Sequence, residues 1–159
     1  MRGRPITCCF TGHRHISREN TVMLTQKLRR LIPALAEDGV TTFRAGGAMG
    51  FDTLAALCVI EQRELLGLRL ELILPCHNQT RGWSERDKNY YNHILKSCDS
   101  YRYISDIYTD GCMLERNRHL VNGSDVCVAY LTSNRGGTLF TVNYAQKNGV
   151  RVINLAENI

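Results

Sequence analysis

The strongest constraint on the fold is a regular alternation between short apolar runs and longer segments with helical periodicity. The runs at 6–11 and 125–131 have the length and the β-favouring composition of strands. The segment 17–38 repeats apolar residues at near-helical spacing, and Gly39 follows it where a helix often ends. Because strands that alternate with helices form βαβ units, their strands are expected to pair in parallel.

The alternation continues to the C-terminal end of the chain. Strands are predicted at 6–11, 40–45, 70–74, 101–104, 125–131 and 150–155, and helices at 17–38, 51–66, 84–97, 113–121 and 138–147. There is no linker, repeat or low-complexity segment, so we expect residues 1–159 to form one domain. The apolar run 125–131 fits a sheet that is covered on both faces. The predicted fold class is α/β: Rossmann-like, with three α/β/α layers around a mainly parallel sheet.

Charge and composition narrow the classes of partner. A net charge of +5 suits an anionic ligand, but it is too small and too evenly spread to indicate nucleic acid by itself. No apolar run approaches the roughly 18 residues of a membrane span, and the N-terminus has no long apolar region. We therefore expect no membrane partner and no secretory signal. The seven cysteines contain no CxxC pair and the histidines are scattered, which predicts reduced thiols, a cytoplasmic location and no metal site.

Glycine-rich loops are the main candidates for ligand binding, because ligands of open α/β sheets bind beyond the carboxyl ends of the strands. Two such loops lead directly into a predicted helix. Free backbone N–H groups and the helix dipole at those positions favour an anion such as phosphate. The binding candidates in these loops are Gly46, Gly47, Ala48, Gly50, Phe51 and Asp52 after the second strand, and Gly136, Gly137 and Thr138 after the fifth. We predict a nucleotide or another phosphate-bearing ligand held by both loops.

Further candidates lie at the other strand ends and in the fourth helix. Arg14 and Arg116 would add charge-assisted hydrogen bonds to a phosphate. Asp52 would hold a ribose hydroxyl, or it is only an acid favoured in a first helical turn. Trp83 would stack on a base near Gln79, or it only covers the core. The remaining candidates for binding are Gly12, His13 and Asn117.

The same motifs resemble those of a known superfamily. Residues 46–52, GGAMGFD, resemble the G-x-A-x-G-I-D turn of the DNA-processing protein DprA, and residues 11–14, TGHR, take the place of its G-S-R. Residues 116–118, 123–125 and 137–141 resemble its R-N-R-I-I-A-G-L-S-D and S-G-S-L-I-T-A blocks. Residues 113–116, MLER, and the Gly-Gly-Thr turn resemble motifs of the "lonely guy" (LOG) phosphoribohydrolases. By this resemblance, the chain is identified as a member of the SLOG superfamily, in its small YpsA-like branch.

Our leading hypothesis is a sensor or regulatory module that binds a nucleotide-derived small molecule. The resemblance also implies a homo-oligomer, since these relatives often form dimers. One alternative is a nucleotide hydrolase, since Arg116 matches the catalytic arginine of the phosphoribohydrolases. Their glutamate after the last Gly-Thr is absent here, so Glu115 or Asp52 would have to supply the acid. The other alternative is DprA-like binding of single-stranded DNA. No cofactor is predicted other than a nucleotide-type ligand.

Overall fold

Six strands and five helices alternate in the computed structural model, which describes residues 4–157. The strands are β1 (Ile6–Gly12), β2 (Val40–Ala45), β3 (Arg69–Leu74), β4 (Ser100–Tyr103), β5 (Val126–Tyr130) and β6 (Arg151–Asn154). The helices are α1 (Arg18–Glu37), α2 (Phe51–Leu66), α3 (Glu85–Ser97), α4 (Cys112–Val121) and α5 (Gly137–Lys147). Each predicted element is present, and its ends differ from the prediction by no more than one residue. None of these helices is both long enough and apolar enough to cross a membrane.

The order of the strands determines where the loops meet. The sheet is parallel throughout, with the order β4-β3-β2-β1-β5-β6. From β1 the chain builds outward to β4, then crosses back to β5 on the other side of β1. Because parallel crossovers are right-handed, this reversal places α1, α2 and α3 on one face and α4 and α5 on the other. The predicted Rossmann-like α/β fold is confirmed, with its topological switch point between β1 and β5.

Buried side chains on both faces hold the sheet between its helices. On the first face Phe10 stacks on Phe43, with ring centroids 5.7 Å apart, and meets Phe51 edge-on at 6.3 Å. Cys8 belongs to this core, whereas Cys9 packs in the core of the opposite face with residues of α4 and α5. Adjacent residues of a strand point to opposite faces of the sheet, and these two cysteines do so. The packed sheet gives the loops at its carboxyl edge a firm base.

Candidate functional site

A cavity of about 350 Å³ opens at the carboxyl edge of the sheet, at the switch point. We call it the β1/β5 cavity. It is bordered by the loop after β1, the loop before α2, one face of α4 and the first turn of α5. Its lining residues are Thr11, Gly12, His13, Arg14, Ala48, Asp52, Met113, Leu114, Arg116, Asn117, Leu120, Gly137 and Thr138. Its volume lies in the range of small-molecule sites, which is roughly 300–1,000 Å³.

The start of α5 presents free backbone donors beside this cavity. Gly136 precedes the helix, and no side chain caps it. Within residues 4–157, the N–H groups of Gly137, Thr138 and Leu139 donate to no other group. Among the described residues, a Cβ at Gly137 would approach only the Asn117 side chain, at 3.6 Å. Three unused donors and the positive end of an 11-residue helix make this turn a place for an anion.

The first glycine loop is different, because the protein's own groups occupy it. The carboxylate of Asp52 accepts the N–H of Ala48 at 3.3 Å. The first N–H of α2, that of Phe51, donates to the carbonyl of His13 at 3.1 Å. The loop between β2 and α2 therefore already surrounds an internal carboxylate, which makes the first turn of α5 the better candidate for an anion.

Packing explains most of the glycines in and near that loop. A Cβ at Gly12 would lie 2.5 Å from the Phe51 side chain, and one at Gly46 would lie 2.6 Å from the Arg116 guanidinium. At Gly47 a Cβ would lie 2.5 Å from Leu74. At these three positions the absence of a side chain makes room for neighbouring residues of the protein itself. The sequence-based prediction assigned that space to a ligand.

Arg116 and Asp52 are two buried charges at the base of the β1/β5 cavity. Their exposed fractions are 4% and 5%. The Nε of Arg116 donates to Oδ1 of Asn117 at 2.9 Å, and its Nη1 donates to the carbonyl of Gly46. Burial raises the pKa of Asp52, and the positive charge of Arg116 opposes this rise. Burial lowers the pKa of Arg116, and Asp52 opposes that shift. Each charge is therefore tolerated in the interior partly because of the other.

His13 joins three loops around the cavity. Its Nε2 accepts the backbone N–H of Thr132 at 2.9 Å, and its carbonyl accepts the N–H of Phe51. Its ring meets Tyr130 edge-on, at 5.7 Å between centroids. Partial burial lowers the pKa of His13. A neutral ring fits these contacts, because only a neutral imidazole nitrogen can accept the Thr132 N–H.

Several predicted site residues lie away from the cavity. Glu115 is half exposed and pairs with Arg118 at 2.8 Å and His119 at 3.3 Å. Gln79 is buried behind the first glycine loop, where its Nε2 donates to Gly46 at 3.3 Å. Trp83 packs edge-on against Tyr91 in the first core, at 5.7 Å between centroids. The structure therefore does not bring the predicted acid Glu115, or the predicted base-stacking pair Gln79 and Trp83, to the cavity lining.

The remaining predicted residues fall into two groups. Those in the cavity lining are Gly12, His13, Arg14, Ala48, Asp52, Arg116, Asn117, Gly137 and Thr138. Those that lie behind it, in the loops or at the start of α2, are Gly46, Gly47, Gly50, Phe51 and Gly136. The prediction missed the apolar side of the cavity, which Met113, Leu114 and Leu120 form on α4. Met113 lies three residues before Arg116 and Leu120 four residues after it, so both share its helix face, and this spacing was the signal that could have found them.

The family model described as the YspA SLOG family matches residues 8–153. The chain belongs to the YspA SLOG family. The match begins within β1 and ends within β6, and it therefore includes every loop that borders the β1/β5 cavity. The predicted membership of the YpsA-like branch of the SLOG superfamily is confirmed.

Individual relatives agree with the family. The chain is 26% identical over 147 residues to the SPbeta prophage-derived protein YoqJ of Bacillus subtilis, covering 81% of this chain and 85% of that protein. It is 30% identical over 130 residues to a UPF0398 protein of Bacillus thuringiensis, covering 79% of this chain and 71% of that protein.

Solved structures of DNA processing protein A share the fold. The Streptococcus pneumoniae protein has a TM-score of 0.68 at 15% identity, with 94% of this chain covered. The Helicobacter pylori protein, which binds single-stranded DNA, has a TM-score of 0.65 at 19% identity, with 93% of this chain covered. This chain spans 50% and 64% of those two chains, respectively.

Proposed function

We propose that this SLOG protein binds a nucleotide or nucleotide-derived, phosphate-bearing small molecule in the β1/β5 cavity, as a sensor or regulatory module. The observation that carries the proposal is the open first turn of α5. Its unused N–H groups border a cavity of about 350 Å³ that Arg14 also lines. Backbone donors, a helix dipole and an arginine are together the usual means of holding a phosphate.

The two sides of the cavity suggest how such a ligand lies. The phosphate is placed at Gly137 and Thr138, with Arg14 as its charged partner. The ribose and base are placed against Met113 and Leu114, which form the apolar side. Small-molecule sites commonly combine one apolar surface with a few well-placed polar groups.

Binding without turnover fits the placement of the acids. Glu115 is engaged by Arg118 and His119 on the outer side of α4. Asp52 lines the cavity, but its carboxylate is held by the Ala48 N–H and lies near the charge of Arg116. We therefore assign Asp52 to support of the first glycine loop and favour a sensor over a hydrolase.

The test is a thermal-shift screen with the common ribonucleoside monophosphates, followed by a Gly137→Pro variant. We expect at least one compound to raise the melting temperature by about 5–10 °C at a concentration about 100 times its Kd. Proline is tolerated at the first position of a helix but lacks the N–H, so Gly137→Pro should weaken binding about 10- to 100-fold.

The matched control is Glu85→Pro, which places proline at the first position of α3, away from the cavity lining. It should leave the shift unchanged. A flat screen, or an equal loss in both variants, would contradict the proposal. Release of free base or phosphate from the stabilising compound would favour the hydrolase. If a single-stranded oligonucleotide binds more tightly than any monophosphate, and its affinity falls steeply with salt, a DNA-binding role like that of the Helicobacter pylori protein is favoured.

A further inference from the structure

A second depression lies over the outer surface of α2 and shares one lining residue, Arg14, with the β1/β5 cavity. We call it the α2 furrow. Its inner part, of about 290 Å³, is lined by residues of α2, by Arg14 and Ile16 before α1, and by Arg86 and Tyr90 of α3. Arg14 also lines the β1/β5 cavity, so the two spaces share one arginine. The furrow then extends past Leu57 and Tyr90 towards His93.

The side chains of the α2 furrow suit a ligand that carries an aromatic group beside a negative charge. Tyr90 is 37% exposed, although it lies on a helix whose other face is packed in the core. The guanidinium of Arg86 lies over its ring, 5.8 Å from the centroid. Exposed tyrosine rings and arginine planes are surfaces on which bases stack. Arg14, between the cavity and the furrow, is placed to contact a phosphate that joins two groups.

We propose that the α2 furrow is a second subsite, and that the ligand is a dinucleoside pyrophosphate rather than a mononucleotide. The inference rests on the proposed function, because the first nucleoside occupies the β1/β5 cavity. The pyrophosphate passes Arg14, and the second nucleoside lies against Tyr90 and Arg86. Arg14 provides the positive charge for a single pyrophosphate, and the Tyr90 ring with Arg86 over it provides the surface for one further base. A nucleic-acid strand presents repeated phosphates, and Asp87 in the same lining opposes them.

The experiment compares AMP with diadenosine pyrophosphate, in which two adenosines share one pyrophosphate, by isothermal titration calorimetry. The same comparison is made for the guanosine, cytidine and uridine pairs. We expect one dinucleoside pyrophosphate to bind at least about tenfold more tightly than its monophosphate. Tyr90→Ala should remove this gain and leave binding of the monophosphate unchanged. Tyr108→Ala, which removes a tyrosine from an exposed loop outside the furrow, is the matched control and should retain the gain.

The outcomes separate the two proposals. A monophosphate that binds in a Gly137-dependent manner supports the proposed function. If the dinucleoside pyrophosphate then binds no more tightly than the monophosphate, or if Tyr90→Ala does not change its affinity, the second subsite is wrong and the proposed function stands. If neither class of compound binds, both are wrong. If a single-stranded oligonucleotide binds more tightly than any dinucleoside pyrophosphate and loses that advantage in Tyr90→Ala, the furrow is a strand-binding surface and the small-molecule subsite is overturned.

Discussion

Replacing Arg116 by methionine is expected to lower the free energy of unfolding by about 3–5 kcal/mol at neutral pH. The change leaves the Gly46 carbonyl and the Asn117 side chain without the guanidinium that now donates to them. It also leaves Asp52, which is 5% exposed, without the positive charge that opposes the rise in its pKa. Removing a charge that compensates another buried charge is among the most destabilising changes that a single substitution can cause. Urea denaturation followed by circular dichroism measures the loss.

Two further variants separate the charge from the loss of packing. Arg118 lies on the same helix, but its side chain is half exposed and pairs with Glu115. Arg118→Met should therefore lower the free energy of unfolding by no more than about 1 kcal/mol. The double variant Asp52→Asn with Arg116→Met removes both charges, so it should be more stable than Arg116→Met alone. Equal stability of the double and single variants would show that Asp52 does not depend on Arg116.

The loss of stability in Arg116→Met is expected to depend on pH in a definite direction. The folded-state pKa of Asp52 is raised, so the folded protein holds that proton more tightly than the unfolded chain. Ionisation of Asp52 therefore lowers stability as the pH rises above its unfolded pKa of about 3.9. Because Arg116 offsets this cost, the difference between the wild type and Arg116→Met should be smallest near pH 4 and grow towards neutral pH.

Replacing Gly50 by alanine is expected to lower the free energy of unfolding by about 2–4 kcal/mol. Gly50 has φ +78° and ψ −122°, a backbone region that side-chain-bearing residues rarely adopt. A Cβ there would overlap the carbonyl oxygen of Arg14, which is backbone and cannot simply rotate away. The strain would move the loop after β1 or the start of α2. Either movement would also shift the border of the β1/β5 cavity.

Gly67 provides the matched control for this prediction. It ends the same helix with φ +68°, and no atom of the described residues lies within 4 Å of a Cβ built there. Gly67→Ala therefore measures the backbone cost alone, which is about 1 kcal/mol. Both variants are compared with the wild type by thermal and urea denaturation. If the two variants lose the same stability, the contact between Gly50 and Arg14 places no constraint on the loop.

Much of the fold could be predicted because its signals are local. Periodicities of two and 3.6 residues are written in consecutive residues, so the helices and strands could be located to within a residue. The glycine loops, and the rule that ligands bind beyond the carboxyl ends of the strands, also indicated the edge of the sheet at which the β1/β5 cavity opens. The order of the strands did not follow from the same patterns, since it depends on which distant segments pair.

The residues of the candidate site show where local reasoning stops. Two glycine-rich turns look alike as sequence, yet Asp52 and the Arg116 side chain occupy the surroundings of one, and the other is open. Trp83 and Gln79 look like ligand contacts beside a polar loop, yet they pack against Tyr91 and Gly46. The sequence alone determined the elements and the family, and it indicated the edge at which the candidate site lies. Only the tertiary structure decided which backbone donors remain free, because that depends on side chains that come from distant parts of the chain and occupy the same space.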